Sequence, residues 1–409
     1  MATERTSERV GAMLAGLLST AHLCPLDELP ALIARHAPSA GLHDVVLYLA
    51  DLRQEVLRPL TGTEIGLLGK RVNIDATLAG RAYRTYGIVA VTENGEGGEQ
   101  GPRRLWVPLV DGVERLGVLR VGVEVDDAAT REAARALADL VALLVASKRP
   151  HSDTYAGLVR SRPMSVSAEV QWTLMPPSTF ANDDVVVSAA LEPAYHIGGD
   201  AFDYALAGDL LRLAIFDATG HDLASGLAAT IAMGCNRNQR RQGRGLVETS
   251  EAIDAEVGEQ FGGTRSVTGL LADLDLRTGV LTWVNRGHHP PLVIRGGRWV
   301  AELSCPPALP MGMPLPSDPE ACQTQLEPGD RLVLYTDGII EARSSRGDFF
   351  GLHRFIDFII RRMADGLSTP ETLRRLVETV LRHQDGRLED DATVLLVEWG
   401  TKGGRDLLF

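Results

Sequence analysis

The chain has 409 residues, 44% hydrophobic and 23% charged, with a formal net charge of -13. That length exceeds what one core ordinarily fills, so two domains are expected, and the apolar share argues against a disordered chain. The acidic balance argues against nucleic-acid binding and against docking on anionic lipid, because both need a basic surface. No apolar run reaches the ~20 residues of a membrane helix, and the opening Met1-Ala2-Thr3-Glu4-Arg5 lacks a secretory layout. Cys24, Cys235, Cys305 and Cys322 are scattered without a C-x-x-C pair, from which a reducing, cytoplasmic compartment is expected.

In chain order, residues 10–18 and 29–33 carry apolar residues at helical spacing. Val45-Val46-Leu47-Tyr48-Leu49 and Val56-Leu57 read as a hairpin, and residues 92–101, rich in Gly and Glu, as a loop. Trp106-Val107-Pro108-Leu109-Val110 turns at Asp111-Gly112 and returns through Leu116-Gly117-Val118-Leu119, and residues 126–146 have the content of a long helix. The stretch Thr77-Leu78-Ala79-Gly80-Arg81-Ala82 and the Trp106 strand leading to Leu119 resemble a GAF domain. That resemblance implies an α/β sensor over residues 1–150; a domain used only for dimer contacts is the alternative. Residues 151–177 read as a linker with a short helix at 164–174, stopped by Pro176-Pro177. The helix is either a transmission element or a packing helix, and it or residues 126–146 would mediate a homodimer.

From Asp183 onward, short strands in adjacent pairs accompany helices in blocks at 223–240, 248–261, 352–363 and 370–383. The expected class is therefore α+β, layered, and not a doubly wound parallel sheet. Four aspartates stand where apolar runs end: Asp200 after Gly198-Gly199, Asp217 after Leu213-Ala214-Ile215-Phe216, Asp337 after Leu334-Tyr335-Thr336, and Asp390 before Asp391-Ala392-Thr393. Gathered without a cation they would repel, by ~4 kcal/mol for two charges ~4 Å apart at an effective dielectric of ~20. Oxygen-only ligands select hard ions, Mg²⁺ or Mn²⁺. Gly199 and Gly338 would allow sharp turns there. Singly, each aspartate reads more readily as a turn residue than as a ligand.

Taken in order, Pro193-Ala194-Tyr195-His196-Ile197-Gly198-Gly199-Asp200-Ala201-Phe202-Asp203, Asp217-Ala218-Thr219-Gly220-His221, Asn285-Arg286-Gly287-His288-His289-Pro290-Pro291, Tyr335-Thr336-Asp337-Gly338 and Asp390-Asp391-Ala392-Thr393 resemble the PPM metal-dependent phosphatases, in particular the stage II sporulation protein E branch. The resemblance spans about residues 166–399 and implies an α/β/β/α sandwich over residues 178–400, followed by a tail at 401–409. It further implies that Asp217 bridges two divalent cations, with the Ala218 carbonyl nearby and Asp200, Asp337 and Asp390 completing the shell. Asp391 competes with Asp390 for the last place, and Asp203 is expected to support the ligands or a turn. The implied reaction is hydrolysis of a phosphoserine or phosphothreonine protein, such as an anti-sigma-factor antagonist, by water activated between the two metals. Two departures are visible: Asp222 follows His221 where the family has glycine, and Arg286 replaces an alanine.

His221 is read either as proton donor to the leaving oxygen or as a turn residue. His288 and His289 read as loop packing. Cys235 and Arg241 match a bare C-x₅-R spacing, but no glycine between them shapes a phosphate cradle. Arg237, Arg240, Arg241 and Arg244 would either guide an acidic partner or solvate a helix end. Rival readings are a catalytically silent regulator of the same fold and a small-molecule or phosphodiester hydrolase.

Overall fold

The computed structural model describes residues 2–60, 70–94, 100–193, 195–196, 198–386, 388 and 390–400; the expected tail at 401–409 lies outside them. It divides into two compact units, Met1–Arg162 and Pro163–Phe409.

The first unit contains α1 (Ala2–Ala21), α2 (Leu29–His36), β1 (Leu42–Ala50), β2 (Val56–Pro59), β3 (Val72–Asn73), α3 (Leu78–Thr85), β4 (Val89–Asn94), β5 (Gln100–Asp111), β6 (Glu114–Val123), α4 (Ala128–Lys148) and α5 (Asp153–Val159). Its antiparallel sheet runs β3-β2-β1-β6-β5-β4. Side chains alternate across a strand: Leu47 and Leu49 join a core with Leu17, Ile33, Leu137 and Val141 of the helices, whereas Tyr48 between them packs with Tyr83 of α3. Both expected hairpins are present as β1/β2 and β5/β6. The expected loop at 92–101 is narrower, since β4 reaches Asn94 and β5 begins at Gln100; residues 95–99 lie outside those described. Within the stretch read as a linker, α5 folds onto this unit. Val159 is buried in its core and its carbonyl accepts from Leu52 N–H at 3.0 Å.

The second unit contains α6 (Val166–Leu174), β7 (Thr179–Ala181), β8 (Val185–Glu192), β9 (Asp200–Ala207), β10 (Leu210–Ala218), α7 (Leu223–Arg241), α8 (Leu246–Phe261), β11 (Val267–Asp275), β12 (Val280–Arg286), β13 (Leu292–Arg295), β14 (Trp299–Glu302), β15 (Ala321–Gln325), β16 (Arg331–Tyr335), α9 (Asp337–Ile340), α10 (Leu352–Ala364), α11 (Thr369–His383) and β17 (Ala392–Trp399). One sheet is ordered β15-β12-β11-β10-β9 and the other β14-β13-β16-β17-β8-β7. Period-two alternation in β16 and β17 builds the layers. Leu332, Leu334, Leu395 and Val397 join the core shared with the first sheet, α7 and α8. Val333, Tyr335, Val394 and Leu396 face Phe355, Ile359 and Leu373 of α10 and α11. The result is the α/β/β/α sandwich.

In this unit sequence reading missed β7, β9, β14 and β15. The last is an edge strand whose residues Ala-Cys-Gln-Thr-Gln alternate between exposed and half-buried, so hydrophobic patterning is too weak to mark it. Cys305 and Cys322 form a disulfide, Cα–Cα 5.8 Å, across 17 positions. Two cysteines that read as scattered in sequence are thus brought together by the fold, while Cys24 and Cys235 stay free. Among the described residues no helix is long and apolar enough to cross a membrane.

Phe216, fully buried in β10, carries the strand that delivers Asp217 to the site. Phe216→Ala should cost about 3–5 kcal/mol, seen as a lower urea midpoint at unchanged slope.

Candidate active site

β9 and β10 pair antiparallel with Asp200 directly opposite Asp217. Asp200 therefore opens a strand where the sequence suggested that it closes one, and the antiparallel register brings both carboxylates to the same edge. Like charges in such a pair are destabilising, so the surroundings must hold them. Asp200 is 2% exposed, and its Oδ2 accepts from Thr336 Oγ1 at 2.7 Å and Thr393 Oγ1 at 2.6 Å. Both hydroxyls come from the second sheet's side, so this carboxylate ties the two sheets together. Asp337 opens α9 immediately after Thr336. Asp391, just before β17, turns Oδ2 toward the backbone N–H groups of Gly198 and Gly199, both at 2.6 Å, and Asp200 at 3.2 Å. Asp390 is exposed at the rim, its Oδ1 accepting from Asp391 N–H at 2.8 Å.

The five carboxyls are all held above the ordinary carboxylate range. Burial is the main cause for Asp200, followed by the charges of Asp217 and Asp391. Burial, then Asp337, Asp390 and Asp391, push Asp217 up to about 7. Burial takes Asp391 to about 6 against the three N–H donors that favour its charged form. Asp337 is raised by burial and Glu341 and opposed by His289; Asp390 is raised by burial and Asp337 and opposed by its N–H bond and by His221. These mutual effects place the five within electrostatic reach of one another. Among the described residues no three His, Cys, Asp or Glu side chains close round one point tightly enough to hold an ion. The donor set is nonetheless all oxygen and lies in a cluster whose own charges are unfavourable, which suits hard divalent cations.

Two glycines permit this geometry through close approach, and neither has a positive φ. A Cβ on Gly199 would stand 2.4 Å from the Ala218 carbonyl oxygen, and one on Gly338 would stand 1.9 Å from that of Asp391. The turns expected at these positions are instead contacts between backbones.

Other sequence candidates fall elsewhere. His221 is exposed in the turn before α7, where its Cα would lie 2.7 Å from a Cβ on Gly198. Asp203, 1% exposed, is held by Arg237 at 2.6 Å and Arg240 at 2.7 Å, so two of the four clustered arginines point inward and the docking face is reduced. Arg286, 1% exposed, pairs with Asp254 of α8 at 3.0 Å and donates to the Leu309 carbonyl; this departure from the family pattern is a buried tether. His288 is buried with Nδ1 3.0 Å from Thr268 Oγ1 and Nε2 3.1 Å from the Tyr335 carbonyl. Burial, aided by His289, lowers its pKa to about 3, so it is neutral, donating to the carbonyl and accepting the hydroxyl. His289 stacks on Tyr335 at 5.4 Å and its charge reaches Asp337, a proximity to the site that loop packing alone did not suggest. Cys235 lies inside α7 with its thiol pushed up by burial, which disfavours a cysteine nucleophile.

Residues 207–400 match the family model described as "Stage II sporulation protein E (SpoIIE)". The second unit carries a SpoIIE-family PPM phosphatase domain. The match contains Asp217, Asp337, Asp390 and Asp391, and Asp200 lies just upstream of it. The chain is 25% identical over 266 residues to protein IcfG of Synechocystis sp., covering 56% of this chain and 40% of that protein. It is 21% identical over 235 residues to the phosphoserine phosphatase RsbU of Bacillus subtilis, covering 57% of this chain and 69% of that one. Among solved structures, the RsbU and RsbW domains of Rv1364c from Mycobacterium tuberculosis match with a TM-score of 0.46 and 25% identity, over 53% of this chain and 62% of that one.

Within the SpoIIE-family domain, sequence reasoning passed over Thr336 and Thr393. A threonine beside an aspartate is common in turns, and only the meeting of two sheets shows both hydroxyls on one carboxylate.

The raised Asp217 has a thermodynamic sign. The folded state binds its proton more tightly, so stability in chelator should fall as pH rises from about 4 to about 7. Asp217→Asn should flatten that fall and stabilise the chelated protein at pH 8 by about 2–4 kcal/mol, measured by denaturant titration. Gly338→Ala, which drives a Cβ into the Asp391 backbone, should lower the melting temperature and weaken divalent-cation binding in calorimetry.

Proposed function

We propose that this protein is a metal-dependent protein serine/threonine phosphatase. The observation that supports it best is the cross-strand pair Asp200 and Asp217 with Asp337, Asp390 and Asp391 in electrostatic reach. Family membership of the domain and similarity to a phosphoserine phosphatase point the same way. Asp200, Asp217, the Ala218 carbonyl, Asp337 and Asp390 would hold two Mn²⁺ or Mg²⁺ ions. Asp391, whose Oδ2 already gathers three N–H groups, would shape the Gly198–Asp200 turn, a reading that favours Asp390 over it as ligand. When bound, the cations supply charge stabilisation to the phosphoryl oxygens and acidify water.

The protein's own residues do the rest. Thr336 and Thr393 orient the Asp200 carboxylate. Exposed His221, whose charge reaches Asp390, would give a proton to the departing serine or threonine oxygen. The substrate would be a phosphoprotein of a partner-switching pathway, such as an anti-sigma-factor antagonist. The first unit, with helices on both faces of a six-stranded antiparallel sheet, would be a GAF-like sensor. Its signal would pass through α6, which packs on α7 where Gly226 lets Ser167 approach closely. We place the enzyme in the cytoplasm and expect a homodimer.

Purified full-length protein should release phosphate from a phosphoserine peptide only with Mn²⁺ or Mg²⁺, and Asp217→Asn or Asp337→Asn should lower kcat by more than a hundredfold, about 3 kcal/mol of barrier. Binding of the phosphopeptide without turnover in either metal would favour the silent regulator; faster cleavage of a diester would favour the small-molecule hydrolase. His221→Ala should depress turnover of phosphoserine more than that of an aryl phosphate, whose leaving group needs no proton.

A further inference from the structure

The site so described is rich in acceptors and poor in donors, yet a phosphoryl group arrives as an anion. The edge of β11 supplies a donor. Asp217 pairs with Thr268 and Ala218 with Val267, and the ladder continues past the strand end through Thr219 N–H to the Ser266 carbonyl at 2.9 Å and between the Thr219 and Ser266 hydroxyls at 2.8 Å. Arg265 is the next residue outward, facing Gly220, three positions from Asp217. Its Nη1 lies 3.5 Å from where a Cβ on Gly220 would stand, and Gly220 has φ +93°, a conformation that disfavours a side chain there. Arg265 thus lies against the bare backbone of Gly220, three residues along the chain from Asp217, its side chain 28% exposed.

The guanidinium is also aimed. Nη2 donates to Asp222 Oδ2 at 2.5 Å. Asp222 is itself fixed as the N-cap of α7, its Oδ1 accepting from Ser225 N–H at 2.9 Å, and Ser225 Oγ donates to the Thr219 carbonyl at 2.9 Å. An arginine free to fold away would lose much rotamer entropy on binding an anion; one already held by a carboxylate at one end of its fork loses less. Asp222 is the residue that departs from the family's glycine, so the aiming belongs to this chain.

We propose that Arg265, oriented by Asp222, binds the phosphoryl group of the substrate through its Nη1 face and sets affinity for phosphate monoesters. This rests on the phosphatase reading and extends it to a substrate-binding residue outside the carboxylate set. A charge-assisted contact at a partly exposed site should be worth about tenfold in affinity.

The test uses full-length protein with Mg²⁺ and inorganic phosphate as probe. Arg265→Ala and Arg265→Gln should each raise the phosphate Kd in calorimetry, and KM for p-nitrophenyl phosphate, by about tenfold, with a smaller change in kcat and an unchanged Mg²⁺ titration midpoint. Arg265→Lys should recover part of the loss, and Asp222→Asn should show a weaker form of it, because the guanidinium remains but is no longer aimed. An unchanged phosphate Kd in both neutral variants, with wild-type melting temperature, overturns the proposal. So does a loss that follows a shifted Mg²⁺ midpoint, since Arg265 would then act through cation binding. A tenfold change in phosphate Kd in a protein that turns over no phosphoester would uphold the phosphoryl contact and remove the phosphatase reading; normal turnover with unchanged Kd and KM would do the reverse.

Discussion

Two carboxylates facing each other across an antiparallel pair are the constraint around which this domain is arranged. Asp200 opposite Asp217 is an arrangement that strand pairing alone would reject, and burial raises the penalty further. The chain answers from several directions. Threonine hydroxyls from the second sheet meet Asp200, three backbone N–H groups converge on Asp391, and glycine at 199 and 338 lets the carrying segments touch backbone to backbone. These contacts orient the acids without neutralising them, leaving a cluster whose own charges remain in conflict.

Three arginines of the same domain are turned to structural work away from that edge. Arg237 and Arg240 clamp the end of α7 to Asp203 of β9, three residues along the strand from Asp200. Arg286 sits inside the protein, between Asp254 of α8 and the loop carbonyl of Leu309. Breaking such buried pairs leaves an uncompensated charge, typically a loss of about 3–5 kcal/mol. Their positions explain why a run of arginines on an acidic protein need not be a docking surface: a helix turns residues three or four apart to one face, and here Arg237 and Arg240 on the inward face met an aspartate.

The histidines divide in the same physical way. His288, enclosed between Thr268 and the Tyr335 carbonyl, is kept neutral by burial and joins the two sheets near Asp337. His221 is exposed, and its charge reaches Asp390. Position in the motif alone could not separate the buried histidine from the exposed one, because burial is decided by packing.

Ordered motifs made much of the second unit legible. The apolar runs before Asp217 and Asp337, and the run after Asp391, marked β10, β16 and β17, and the blocks of helix were readable from 3.6-residue spacing, since both signals are local. The family resemblance rested on the same local motifs. What only the tertiary structure decided were relations between distant residues: the β9/β10 register that sets Asp200 against Asp217, the different burdens of Asp390 and Asp391, the inward turn of Arg237, Arg240 and Arg286, the disulfide between Cys305 and Cys322, and the meeting of Arg265 with Asp222. Sequence spacing encodes which face of its own element a side chain occupies, but its partner depends on how sheets and helices pack, and that is settled by the whole core at once.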